Sequence, residues 1–238
     1  MSIHINAKKN DIARIVILSG DPNRMKFMAY KYLDDVKEVS NLRNASFYTG
    51  YYKGKKITFG SHGMGQYSTG TYANELYVEY GVDVIIRCGS ASTYRKEWKL
   101  LDLVIINRSY SDNTAISMLN NNELQKVYYP DKILTDELIN SAKKLNFDYK
   151  IGSVHSADVF YSIRNIEDTI KETASDVVDA ESYALFAVAK RYGKKAASIL
   201  QISDILPNME FVDSITREQK FNKSFETVLQ MISDYKAL

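Results

Sequence analysis

Residues 14–33 read RIVILSGDPNRMKFMAYKYL. An apolar, β-branched run, Ile15 to Leu18, halts at Ser19 and Gly20. Such a run bounded by glycine reads as a buried strand. An acid and a proline follow at once. Asp21 is placed to cap a helix and Pro22 to be its first residue, because proline has no N–H to lose there. The stretch predicts a strand that turns directly into a helix, the repeating step of an α/β protein.

The same alternation continues along the chain. Strand patterns are expected at YTGYYKG, KITFGS, DVIIRCG, LVIINRS, KIGSVHS, DVVDAES and ASILQIS. Helical patterns are expected at PNRMKFMAYKYL, TGTYANELYVEYG, TDELINSAKKL, NIEDTIKETA and SYALFAVAKRYG, with a long closing helix over residues 213–235. The prolines stand only at positions 22, 130 and 207, and none lies in a Gly/Ser-rich hinge. The expectation is one α/β domain over residues 1–238, with a parallel or mixed sheet covered by helices on both sides. Sheets of this kind bind ligands beyond the carboxyl ends of their strands.

Composition narrows the function classes. The 238 residues carry 31 basic and 29 acidic side chains, a net charge of +2. So small an excess argues against nucleic acid or an anionic membrane as the main partner. One cysteine, Cys88, excludes an internal disulfide and suits a reducing, cytoplasmic setting. The opening MSIHINAKKND is polar, unlike a signal peptide. No apolar run reaches the roughly 20 residues of a membrane helix. No His/Cys/Asp cluster has metal-ligand spacing, so neither metal nor cofactor is expected.

The strand ends carry the chemistry. A helix beginning at Pro22 offers free N–H groups and a positive dipole end to an anion, and Gly20 allows close approach to the backbone. Arg24, in the first turn, opposes that dipole unless an anion sits there. The segment alone reads either as such a site or as a capped turn with a surface arginine. DVIIRCGS places Arg87 inside an apolar run, just before Gly89 and Ser90. A buried arginine needs a partner. Arg43, in SNLRNAS, reads as a solvated charge or a further ligand. Forked guanidinium donors match phosphate oxygens. The chain has no GxxxxGK[ST] phosphate loop.

In order and spacing, HINA (from His4), GDPNR, NLRN, TGYYKGKKI, SHGMGQYSTGTYANEL, IIRCGS, SADVFYS, VVDAES, ISD and TREQKFN resemble the hexameric, bacterial-type purine nucleoside phosphorylases of the nucleoside phosphorylase superfamily. The resemblance implies a mixed sheet, partly closed as a barrel. It implies phosphorolysis of purine nucleosides to free base and ribose 1-phosphate, with inorganic phosphate as co-substrate. By the same resemblance, Gly20, Arg24, Arg43, Arg87 and Ser90 bind phosphate, while His4, Phe160, Val178, Asp179, Ala180, Glu181 and Ser203 line the nucleoside pocket. His4 and Arg43 would complete a neighbouring subunit's site, in a hexamer built as a trimer of dimers. Asp204 would be the general acid at purine N7, and Arg217 the cation that stabilises its carboxylate after proton transfer. The segment between Pro207 and Ile215 is expected to move over the base.

VVDAES departs from the family's VEME pattern. Asp179 is a methylene shorter than the family glutamate, and Ala180 replaces a methionine, which predicts a roomier sugar pocket. Asp179 and Glu181, two apart on a presumed strand, would share a face. His62 and His155 read as structural. Cys88 alternates away from Arg87 and reads as a buried thiol. A uridine phosphorylase would carry a glutamine–arginine pair and a longer segment before VVDAES, whereas residues 162–177 are few and lack glutamine. A nucleosidase of the methylthioadenosine type uses water and needs no arginine cluster. A nucleoside-binding protein without activity is the alternative from another class.

Overall fold

A computed structural model describes residues 2–235. The strands are β1 (Ile15–Ser19), β2 (Asp34–Leu42), β3 (Ala45–Tyr52), β4 (Lys55–Ser61), β5 (Val84–Thr93), β6 (Leu103–Tyr110), β7 (Val127–Tyr128), β8 (Tyr149–Ser156), β9 (Val177–Asp179), β10 (Lys195–Ile205) and β11 (Glu210–Phe211). The helices are α1 (Pro22–Tyr32), α2 (Gln66–Val78), α3 (Ala115–Asn121), α4 (Lys132–Lys144), α5 (Ile166–Thr173), α6 (Ser182–Tyr192), α7 (Ser214–Gln219) and α8 (Asn222–Asp234).

All strands join one mixed sheet. Alternation along β1 and β5 divides the apolar side chains between its two faces. Val16, Leu18 and Ile85 pack with Tyr72, Ala73 and Leu76 of α2 and Leu185 to Ala189 of α6. Ile15, Ile17 and Ile86 pack with Met25 and Met28 of α1, Leu134 and Leu138 of α4, and Phe225 and Val228 of α8. Each such side chain, fully buried, contributes roughly 1.5–3 kcal/mol. The expected helix-covered sheet is the observed one.

The ladder closes on itself. β5 pairs with β10, β10 with β6, β6 with β8, β8 with β9, and β9 again with β5, forming a partial barrel. β1, β4, β3 and β2 extend the sheet from β5. β5 therefore has two neighbours along one edge. β1 pairs with it as far as Arg87, and β9 takes over at Ser92. The stretch between them, Cys88 to Ala91, is where β1 and β9 diverge and the sheet opens.

Two expectations are corrected. DVVDAES is a strand only over Val177–Asp179, because the Asp179 carboxylate accepts the backbone N–H groups of Glu181 and Ser182 and starts α6. The closing helix is two, α7 and α8, broken where the fully buried Phe221 turns inward beneath Arg24, whose guanidinium lies 4.8 Å from the ring centroid. β2, α3 and the two-residue strands β7 and β11 have no counterpart among the expected elements.

Candidate active site

The opening turn forms as its residues dictate. Asp21 Oδ1 accepts the N–H groups of Asn23 and Arg24 at 2.9 and 3.2 Å, and Pro22 begins α1. At Gly20 a side chain would start 2.7 Å from the carbonyl oxygen of Gly63, so the loops after β1 and β4 meet only because it has none. Arg24 is buried, at 4% exposure, which rules out the reading as a surface arginine. Its Nη1 donates to Ser19 Oγ at 3.1 Å and its Nε to the Arg217 carbonyl at 2.7 Å. Burial draws its pKa down to about 10, and the charges of Arg87 and Arg217 push the same way against Asp21. These three cations thus gather within electrostatic reach of one another.

Arg87 is 3% exposed, at the end of its pairing with β1. Its Nη2 is ion-paired with Glu181, and its Nη1 lies 3.5 Å from Asp179 Oδ2. Burial works against its charge, yet the two carboxylates hold its pKa above the ordinary value. Nε and Nη1 have no hydrogen-bond partner among the described residues. Gly89 makes room for this pose, since a Cβ there would overlap the guanidinium. Ser90, half-buried, follows on the same strand.

The two acids differ in role. Glu181 sits past the strand, at the start of α6, and its Oε1 accepts the Gly65 N–H at 2.9 Å. Asp179 is spent on the fold. Its oxygens accept Ser156 Oγ at 2.6 Å, Ser182 Oγ at 2.6 Å and the N–H groups of Glu181 and Ser182. Instead of sharing a strand face, the pair approaches Arg87 from either side of a turn. Ala180, half-buried, lies between them.

Asp204 lies near the end of β10, buried and opposite Ser92 of β5. Its Oδ1 is ion-paired with Arg217, and Oδ2 lies 2.8 Å from Ser92 Oγ and 2.7 Å from Ser203 Oγ. Val178, half-buried, pairs with Ser92 in the β5–β9 ladder. Phe160 is 82% exposed and stacks edge-on against Tyr161.

His4 and Arg43 stand apart from this cluster, but together. His4 Nδ1 lies 2.7 Å from Glu75 Oε1, and its ring meets Tyr72 edge-on at 6.0 Å. Arg43 is exposed and acts electrostatically on Tyr72 as well. It occupies the two-residue hairpin between β2 and β3 at φ 56°, with Asn44 at φ 62°. That turn favours asparagine and glycine, so an arginine there is held at a cost.

Two residues escaped the sequence reading. Glu75 anchors the N-terminal arm through Ser2, His4 and the Ile3 N–H. Ser92 bonds the Asp204 carboxylate. His62, read as structural, is fully buried with Nε2 unpartnered among the described residues, and burial, with Arg87 nearby, lowers its pKa to about 3. His155 is structural, as expected, with Tyr94 and Asp112 on its two nitrogens. Cys88 packs in the core on the face opposite Arg87. Among the described residues no group of three His, Cys, Asp or Glu is placed to hold a metal ion, and no helix is long and apolar enough to cross a membrane.

Buried arginines gathered at the strand ends of a partly closed mixed sheet define a class, and comparison with known families agrees: residues 14–233 match the phosphorylase superfamily, and the chain belongs to it. Among its relatives are the purine nucleoside phosphorylase DeoD-type 2 of Aliivibrio fischeri and the DeoD-type enzyme of Aliivibrio salmonicida. Each is 37% identical over 228 residues, covering 95% of this chain and 96% of the relative. The DeoD-type enzyme of Buchnera aphidicola is 34% identical over 230 residues, 96% of this chain and 98% of its own.

Proposed function

We propose that the protein catalyses phosphorolysis of purine nucleosides, releasing the base and a pentose 1-phosphate. The observation that carries this reading is Arg87, a buried cation with two donors unpartnered among the described residues, beside Arg24 at an open strand edge. Phosphate supplies oxygens for those donors, while Nη2 keeps Glu181 in place. Glu181, with Oε1 fixed by Gly65, accepts the sugar hydroxyls, and its charge favours the cationic sugar that develops as the glycosidic bond breaks. A phosphate oxygen attacks C1′, the C1′–N9 electron pair leaves with the purine, and Asp204 protonates N7. Such general acid catalysis contributes roughly 10²–10⁴-fold. Arg217 stabilises the carboxylate left behind, and Phe160 and Val178 flank the base. Ala180 leaves the sugar more room than a methionine would. The reaction needs no cofactor beyond phosphate as co-substrate.

His4 and Arg43 serve a neighbouring copy's site, in a homohexamer arranged as a trimer of dimers. Their shared surface around Tyr72 and Glu75, apart from Arg87, supports this. The enzyme works in the cytoplasm as a single domain, with no nucleic-acid or membrane partner.

Incubation with inosine or adenosine, with and without inorganic phosphate, tests the reading. Free base is expected only with phosphate. Equal release without it means a nucleosidase, and binding without release means a nucleoside-binding protein.

A further inference from the structure

β10 runs parallel to β5, and their register slips between Ile202 and Asp204. Bulges of this kind re-aim side chains beside active sites. Here Ser203 is the extra residue, and Asp204 comes opposite Ser92. On its other edge Ser92 pairs with Val178. Ser92 therefore stands between Val178, assigned above to the base, and the acid.

The proton positions follow from counting partners. Each serine hydroxyl has one proton to give. The Ser203 hydroxyl has two acceptors within reach, Asp204 Oδ2 at 2.7 Å and the Ala91 carbonyl at 3.2 Å. Among the described residues the buried Ser92 hydroxyl bonds only Asp204 Oδ2, at 2.8 Å. Its proton is committed to that oxygen. The Ser203 contact to Oδ2 is the shorter of its two, 2.7 Å against 3.2 Å, which favours its proton there as well and leaves Oδ2 no free lone pair.

We propose that Ser92 is a positioning residue for the proton donor: it fixes Oδ2 of Asp204 as an acceptor, so that the proton delivered to the purine rides on Oδ1. This rests on Asp204 being the general acid. Oδ1 is the oxygen that Arg217 holds here, and arginine can only donate. The acid form therefore requires Arg217 to be withdrawn from Oδ1. As the C1′–N9 pair leaves with the base, the Oδ1 proton bonds to N7, and Arg217 returns to the vacated oxygen. Ser92 holds Oδ2 throughout, so the carboxyl cannot rotate its proton away from the base.

The groups around Asp204 are few. Arg217 approaches from α7, Ser92 from β5 and Ser203 from its own strand. β11 places Phe211 opposite Asp204 and Glu210 opposite Ile205. In β9, Asp179 follows Val178 and is held by Ser156 and Ser182.

The test compares Ser92→Ala and Ser92→Thr with the unmodified enzyme. The readouts are kcat and KM with inosine and with 7-methylinosine, whose base leaves without needing a proton at N7. Ser92→Ala should lower kcat on inosine about tenfold, the equivalent of one hydrogen bond to a charged group, with KM little changed. Ser92→Thr should restore the rate, and 7-methylinosine should be indifferent to either change. Equal losses on both nucleosides would show that Ser92 merely packs the strand and would overturn the proposal. So would a Ser92→Ala enzyme with unaltered rate. If Asp204→Asn loses as much on 7-methylinosine as on inosine, Asp204 is not the general acid, and both readings fall together.

Discussion

At the scale of single residues, Gly89 matters through what it leaves empty. The Arg87 guanidinium lies where a Cβ on residue 89 would be. Gly89→Ala should push that guanidinium off its pose without opening the core. Losing one or two charged hydrogen bonds corresponds to roughly a tenfold to hundredfold rise in KM for phosphate. Thermal melting should change little, and steady-state kinetics at varied phosphate would reveal the effect. An unchanged KM would mean that Arg87 does not bind the anion. The residues legible in the sequence were those whose chemistry is local. A capped turn, a glycine at a strand end and an arginine in an apolar run each announce themselves within a few positions. Ser92 did not, because serine is ordinary in strands, and it acquires meaning only through a bulge in a different strand. Asp179 misled for the same reason: its spacing to Glu181 was visible, but the bonds that spend it on Ser156 and Ser182 were not.

At the scale of elements, the N-terminal arm is tied to α2 through one carboxylate. Burial alone would raise the pKa of Glu75, but the hydrogen bonds from Ser2, His4 and the Ile3 N–H outweigh it and hold the group below its ordinary value. A carboxylate so lowered contributes its full stabilisation above the unfolded-state pKa, near 4.5. That contribution fades as pH falls through the lower, folded value. Amide hydrogen exchange of residues 3–7, corrected for its intrinsic pH dependence, should therefore show protection that is constant at neutral pH and lost only in acid. Glu75→Gln should lose it at every pH. Undiminished protection in that variant would show that the arm is held by other contacts. The elements themselves were legible wherever an apolar period was strong. β2 was missed because its residues, DDVKEVSNL, are mostly polar and largely exposed. α3 is only seven residues long. The break between α7 and α8 was hidden because Phe221 fits a helical period yet turns inward to meet Arg24.

At the scale of the whole molecule, alternating strands and helices imply a covered sheet but not its closure. The partial barrel depends on β5 accepting β1 and β9 in turn along one edge, and no local pattern encodes that. Assembly is a step further out. The exposed Arg43 in its strained turn, and His4 beside it, have no role in their own subunit's arginine cluster. If an isologous contact brings them to a partner's Arg87, each site is built from two chains, and the two halves can be broken separately. Arg43→Ala and Arg87→Ala should each depress phosphorolysis strongly when present in every subunit. Unfolding the two variants together and refolding them at equal concentration would pair them at random. A mixed pair has one site with both arginines intact and one with neither, so roughly a quarter of all sites should regain activity if pairing is random and symmetric. The recovered rate should appear only after subunit exchange, not on simple mixing of folded proteins. No recovery, with mixed assemblies verified by mass spectrometry, would confine Arg43 to its own subunit and leave the site complete in one chain.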